Sequence, residues 1–130
     1  MKYDEYVQRA QDASSLVDAG DHEGAISALR DLLSTDISDI DKAMMCFNLA
    51  VVYEKLESDG EALMWYAAGI DYETRHGRYY VAEQRAAYYA RQGKHRESLN
   101  EYRDILGRPS LAEQEKERIR QTIEVLGKQT

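Results

Sequence analysis

Glu73 and His76 stand three residues apart, so on a helix a carboxylate and an imidazole share one face. That spacing is half of a carboxylate-bridged di-iron site, which needs a second Glu-x-x-His and further inward Glu residues. The chain has one such motif, beside Gly77, so no metal site is expected. His22 and His95 occupy equivalent places near the starts of two later-defined helices and are expected at the surface. Cys46 is the single cysteine and cannot form an internal disulfide. It is expected as a small buried apolar residue and not as a nucleophile, the commoner place of a free cysteine. No glycine-rich phosphate loop, Ser/His/Asp arrangement or Cys/His cluster is present. No catalytic residue, cofactor or metal is therefore expected, and recognition is the chemistry left.

The elements that would carry recognition are repeated. Ala13, Leu16, Gly20, Ala25 and Leu29 recur as Ala50, Tyr53, Glu57, Ala62 and Tyr66, and again as Ala86, Tyr89, Gly93, Ser98 and Tyr102. The offsets are 3, 4, 5 and 4 residues in each copy, and the copies start 37 and 36 residues apart. Small residues suit close helix crossings, and the larger residue one turn away fills the space beside them. Gly20 and Gly93 suit the left-handed backbone of a helix end, and Asp21 suits the N-cap of the next helix. In the second copy Glu57 replaces the glycine, and the turn is expected to shift onto Ser58, Asp59 and Gly60. A two-helix unit at this period predicts an all-α helical-repeat solenoid.

These residues resemble the tetratricopeptide repeat. Residues 48–70, "NLAVVYEKLESDGEALMWYAAGI", carry the family's small and aromatic positions at Ala50, Tyr53, Ala62 and Tyr66. The third copy has Ser98 for the usual alanine, and the first keeps the alanine–glycine–alanine frame with fewer aromatics. The family's early Trp is absent, its leucine before the small residue survives only as Leu49, and its closing proline is met loosely by Pro109. The resemblance implies one right-handed solenoid domain over residues 1–130, with repeats at about 4–37, 40–77 and 78–109 and a capping helix at 110–127.

Seven helices are expected, over residues 3–19, 22–35, 40–57, 60–76, 78–92, 94–107 and 111–127. Ser110 and Glu113 form a Ser-x-x-Glu capping box for the last, and Ile119, Ile123 and Leu126 are its apolar stripe. A polar helix with one such stripe suits the end of a repeat array, which predicts a complete array.

No run of 18 apolar residues is present, and the polar start resembles no signal peptide, so a cytoplasmic protein without membrane contact is expected. The formal net charge of −7 disfavours nucleic acid. Its distribution is uneven. Residues 1–74 carry 5 Lys/Arg against 16 Asp/Glu, residues 75–108 carry 8 against 4, and residues 109–130 carry 4 of each. That dipole leaves open a basic patch for an acidic peptide, or contact between the opposite ends of two copies.

The family's first helices line a concave groove. The resemblance implies a groove with Val7, Ala10, Ser14 and Val17 in the first unit. It adds Met44, Phe47, Asn48, Val51 and Glu54 from the second, and Tyr80, Glu83, Gln84, Ala87 and Arg91 from the third. One subclass grips a C-terminal carboxylate with Lys and Asn side chains, but the matching positions here are Ala10, Ser14, Asn48, Tyr80 and Gln84, and only Asn48 agrees. The expected function is a protein-interaction adaptor that takes a peptide or helix by apolar burial, with direction set by Arg85 and Arg91. The alternative is self-association, for example as a homodimer. Trp65, the single Trp, is expected as half-buried core, with an outer-face dimer contact as the other reading.

Overall fold

In the computed structural model, which describes residues 1–129, each helix pair turns on one left-handed residue: Gly20 at φ +81°, Glu57 at +57° and Gly93 at +76°. In each turn the next N–H donates to the carbonyl five residues back: Asp21 to Leu16 at 2.9 Å, Ser58 to Tyr53 at 2.9 Å, Lys94 to Tyr89 at 2.8 Å. This closure satisfies carbonyl groups that a helix end otherwise leaves open. The acceptors are the second residue of each repeat copy. The expected shift of the second turn onto Ser58–Gly60 is thus corrected. Glu57 takes the left-handed position itself, because the following helix already begins at Asp59.

Seven α-helices, with no strand among the described residues, follow one another: α1 (Tyr3–Asp18), α2 (His22–Leu33), α3 (Asp39–Lys55), α4 (Asp59–Thr74), α5 (Tyr80–Arg91), α6 (His95–Leu106) and α7 (Glu113–Lys128). Their ends agree with expectation to within two residues. They form two compact units, Met1–His76 with α1 to α4, and a second that starts at Gly77 and holds α5 to α7. Among the described residues no helix is long and apolar enough to cross a membrane.

In the first unit α1, α2, α3 and α4 pack in chain order. Tyr6, Ala13, Ala25, Leu29, Leu32, Met45, Leu49 and Val52 form its apolar cluster. The small repeat residues Ala13, Ala25, Ala50 and Ala62 are all buried, as a close helix crossing requires. Truncating Leu29 or Leu32 to alanine would cost on the order of 2–5 kcal/mol. Asp21 caps α2 by accepting the Gly24 N–H at 3.0 Å, and Ser38 caps α3 by accepting the Asp41 N–H at 3.2 Å.

In the second unit α5 packs on α6 and α6 on α7. Ala86, Ser98, Ile105, Ile119 and Leu126 are buried. The Ser98 hydroxyl donates to the Ala86 carbonyl oxygen at 2.7 Å, so the one polar substitution in the alanine frame is satisfied inside the crossing. The capping box at Ser110 does not form. The Leu111 N–H closes a turn onto the Arg108 carbonyl at 3.2 Å, Leu111 is buried, and Ala112 stays extended at ψ 153°. Anchoring Leu111 delays α7 to Glu113, where Glu113 can no longer serve as the third helical residue.

Candidate binding clefts

The first unit has a cleft of about 100 Å³ between α1 and α3. Ala13, Ser14 and Val17 of α1, Leu29 of α2, and Asn48, Val51 and Val52 of α3 line it. The second unit has a cleft of about 440 Å³ between α5 and α7. Ala87, Ala90 and Arg91 of α5, Tyr102 of α6, and Arg118, Gln121, Thr122, Val125 and Leu126 of α7 line that one.

The two clefts are built in one register. Counted from Ala13 and from Ala86, the first helix gives the residues one and four positions on: Ser14 and Val17, Ala87 and Ala90. The second helix gives the last residue of the repeat motif, Leu29 or Tyr102. The next helix along the chain gives the rest, α3 in the first cleft and α7 in the second. Ile123 lies 37 residues after Ala86, as Ala50 lies 37 after Ala13. Two positions before these stand Asn48 and Gln121, and two positions after stand Val52 and Val125. Side chains three and four apart share a helix face, so within each unit these positions face one cleft.

Their electrostatics differ. The lining of the first cleft carries no charged side chain, with Ser14 and Asn48 as its polar groups. The second is lined by Arg91 and Arg118 and by no carboxylate. Glu83 holds Arg118 from outside the cleft in a forked pair, with Nη1 on Oε1 and Nη2 on Oε2, the latter at 3.1 Å. Burial, reinforced by Glu83 and opposed by Arg118 and Arg91, pushes the Tyr102 hydroxyl above its usual range, so it stays protonated at neutral pH.

The expected groove residues fall into three groups. Asn48 and Val51 line the first cleft, and Ala87 and Arg91 the second. Tyr80 and Glu83 instead line a polar recess of about 410 Å³ at the starts of α5 and α7, with Arg78, Ser110, Glu115 and Arg118. There the Tyr79 hydroxyl donates to Glu115. Met44 packs against the core of the first unit. The Phe47 ring lies 6.2 Å from that of Tyr66, and Glu54 accepts from the Tyr66 hydroxyl at 3.5 Å. Gln84 is half-buried on α5. From the first unit's expected groove, Ser14 and Val17 reach the cleft, while Val7 and Ala10 pack on the core. The α7 residues Gln121, Thr122 and Val125 were absent from the expected set. The signal that finds them is Ile123 at the repeat interval.

Other candidates resolve differently. Arg85 is paired with buried Glu101 across α5 and α6, which corrects the expectation that it steers a partner. Trp65 is half-buried against the first core, with the Arg30 guanidinium 5.9 Å from its ring. Glu73 is buried on α4, whereas exposed His76 bonds Asp39 at the start of α3 at 3.0 Å. His22 and His95 are half-buried instead of lying fully at the surface, and His95 Nδ1 is enclosed without a partner. Cys46 is fully buried, and burial pushes its thiol up to about 11. No protein-family model matches the chain, and no curated protein matches it in sequence.

Proposed function

We infer that this chain is a tetratricopeptide-like helical-repeat scaffold, three helix pairs and a C-terminal capping helix, that binds a peptide or helix of another protein. The shared register of the two clefts carries the reading. A surface that recurs at the repeat interval, with an apolar floor and few convergent polar groups, suits an extended or helical segment better than a small molecule. In this reading the protein is an adaptor without catalytic chemistry or cofactor, and it binds neither nucleic acid nor membrane. The unbridged Cys46 goes with a cytoplasmic location. Affinity comes from burying apolar side chains over Val51 and Ala87, and direction from Asn48 in one cleft and Arg91 in the other. The opposite charges of the two halves favour self-association as a second reading.

The test is selection from a library of displayed random peptides on the immobilised full chain. Enriched peptides should bind the parent in solution and lose at least tenfold affinity to Val51→Glu or Ala87→Glu, with helicity unchanged by circular dichroism. A library that yields no binder, or binders indifferent to both substitutions, contradicts the reading.

A further inference from the structure

Met64 and Val125 are the most exposed large aliphatic side chains inside the described helices, at 53% and 56% accessibility. They stand in units of opposite charge. Residues 1–76 carry 6 Lys/Arg against 16 Asp/Glu, and residues 77–130 carry 11 against 8. On α4, Glu61, Met64, Ala67 and Asp71 are all exposed, at spacings that align them on one face. The face reads acid, apolar, apolar, acid along the helix. The α5–α7 cleft is its complement. Ala87, Ala90 and Val125 are apolar, and Arg91 and Arg118 are its charged lining, Arg118 being held by Glu83 from outside the cleft.

We propose that the α5–α7 cleft receives the Met64 face of α4 from a second copy of this chain. The proposal rests on the reading of that cleft as a helix-binding surface and names its occupant. Met64 and Ala67 cover the apolar floor, and Glu61 and Asp71 meet Arg91 and Arg118, which fixes direction more than strength. The neutral α1–α3 cleft, about 100 Å³ against about 440 Å³, offers such a face neither the room nor the charge. The contact joins different surfaces of two copies, so it is heterologous, and each added copy leaves one face open. A net charge of −7 on each copy opposes approach, so association belongs at physiological salt, where a Debye length of about 8 Å screens distant repulsion but not touching pairs.

The experiment is sedimentation velocity of the full chain and of Met64→Glu and Val125→Glu, at physiological salt, from about 10 μM to about 1 mM, the range of weak reversible contacts. Both side chains are exposed, and circular dichroism checks that both variants fold. The mean mass of the parent should rise at least twofold above 14.9 kDa with concentration. Each variant alone should stay monomeric. Their equimolar mixture should form a dimer and stop there, because one intact cleft and one intact α4 face remain. A parent that stays monomeric, variants that assemble as the parent does, or a mixture that grows past the dimer would each overturn the proposal. A monomeric parent that still binds library peptides at Ala87 removes the second copy and leaves the cleft reading standing; one that binds none removes both.

Discussion

The Ser58 N–H donates to the Tyr53 carbonyl oxygen at 2.9 Å, across a turn in which Glu57 holds φ +57°. The equivalent bonds from Asp21 to Leu16 and from Lys94 to Tyr89 span glycines. The turn geometry therefore belongs to the repeat and not to the glycine. A side chain with a Cβ is carried through it at a cost of about 1–2 kcal/mol.

Glu57→Gly should relieve that strain. Part of the gain is offset by the freedom glycine adds to the unfolded chain, so the expected net is about 0.5–1 kcal/mol of stabilisation. Calorimetry should show Tm rising by roughly 2–5 °C. A lower Tm would mean that the Glu57 side chain contributes a contact worth more than the strain.

Arg85 and Glu101 form their ion pair at the repeat positions that Leu49 and Trp65 hold in the second copy. Arg85→Leu should leave a nearly buried carboxylate unpaired and destabilise by on the order of 3 kcal/mol. Arg85→Leu with Glu101→Leu should recover most of that, since the equivalent site in the first unit is apolar. Urea denaturation of the three chains tests this; a double variant no better than the single one would contradict it.

Ser98 is fully buried, and the Ala86 carbonyl it reaches also lies within the hydrogen-bonded ladder of α5. Ser98→Ala should cost about 1 kcal/mol or less, because no buried group is stranded. Ser98→Val adds volume to the crossing and should cost about 1–3 kcal/mol. The reverse order in urea midpoints would show that the crossing is loose.

Stability should fall on the alkaline side. Burial, with Asp41 as charge and hydrogen-bond partner, raises Tyr6 from 10.0 to about 12, and burial raises Cys46 from 9.0 to about 11. The folded state holds both protons more tightly, so this stabilisation is complete below pH 9 and is lost as pH rises towards 12. Tyr6→Phe should lose less stability than the parent between about pH 8 and about pH 11, by urea midpoint. Equal losses would exclude Tyr6 as a source of the alkaline instability.

The fold was legible where small residues mark helix crossings. Ala13, Ala50 and Ala86 with Leu16, Tyr53 and Tyr89 placed three helix pairs, because a crossing tolerates little else and the spacing repeats. The lining of the candidate clefts was legible in part. Asn48, Val51, Ala87 and Arg91 were expected on the recognition face and line the clefts. Phe47 looked like an exposed anchor, yet its ring meets Tyr66, because aromatic character does not tell which side of a helix a neighbour covers. Arg85 read as a free charge, and only the α5–α6 packing brings Glu101 to it. Ser110 and Glu113 read as a cap, and burial of Leu111 outweighed it.

The most direct test is amide NMR of the full 14.9 kDa chain titrated with a library-selected peptide. Shifts should concentrate at Ser14, Asn48 and Val51, or at Ala87, Thr122 and Val125, the two sets that line the clefts. Shifts confined to α2, α4 and α6, with both sets unmoved, would place recognition on another face and contradict the assignment of the clefts.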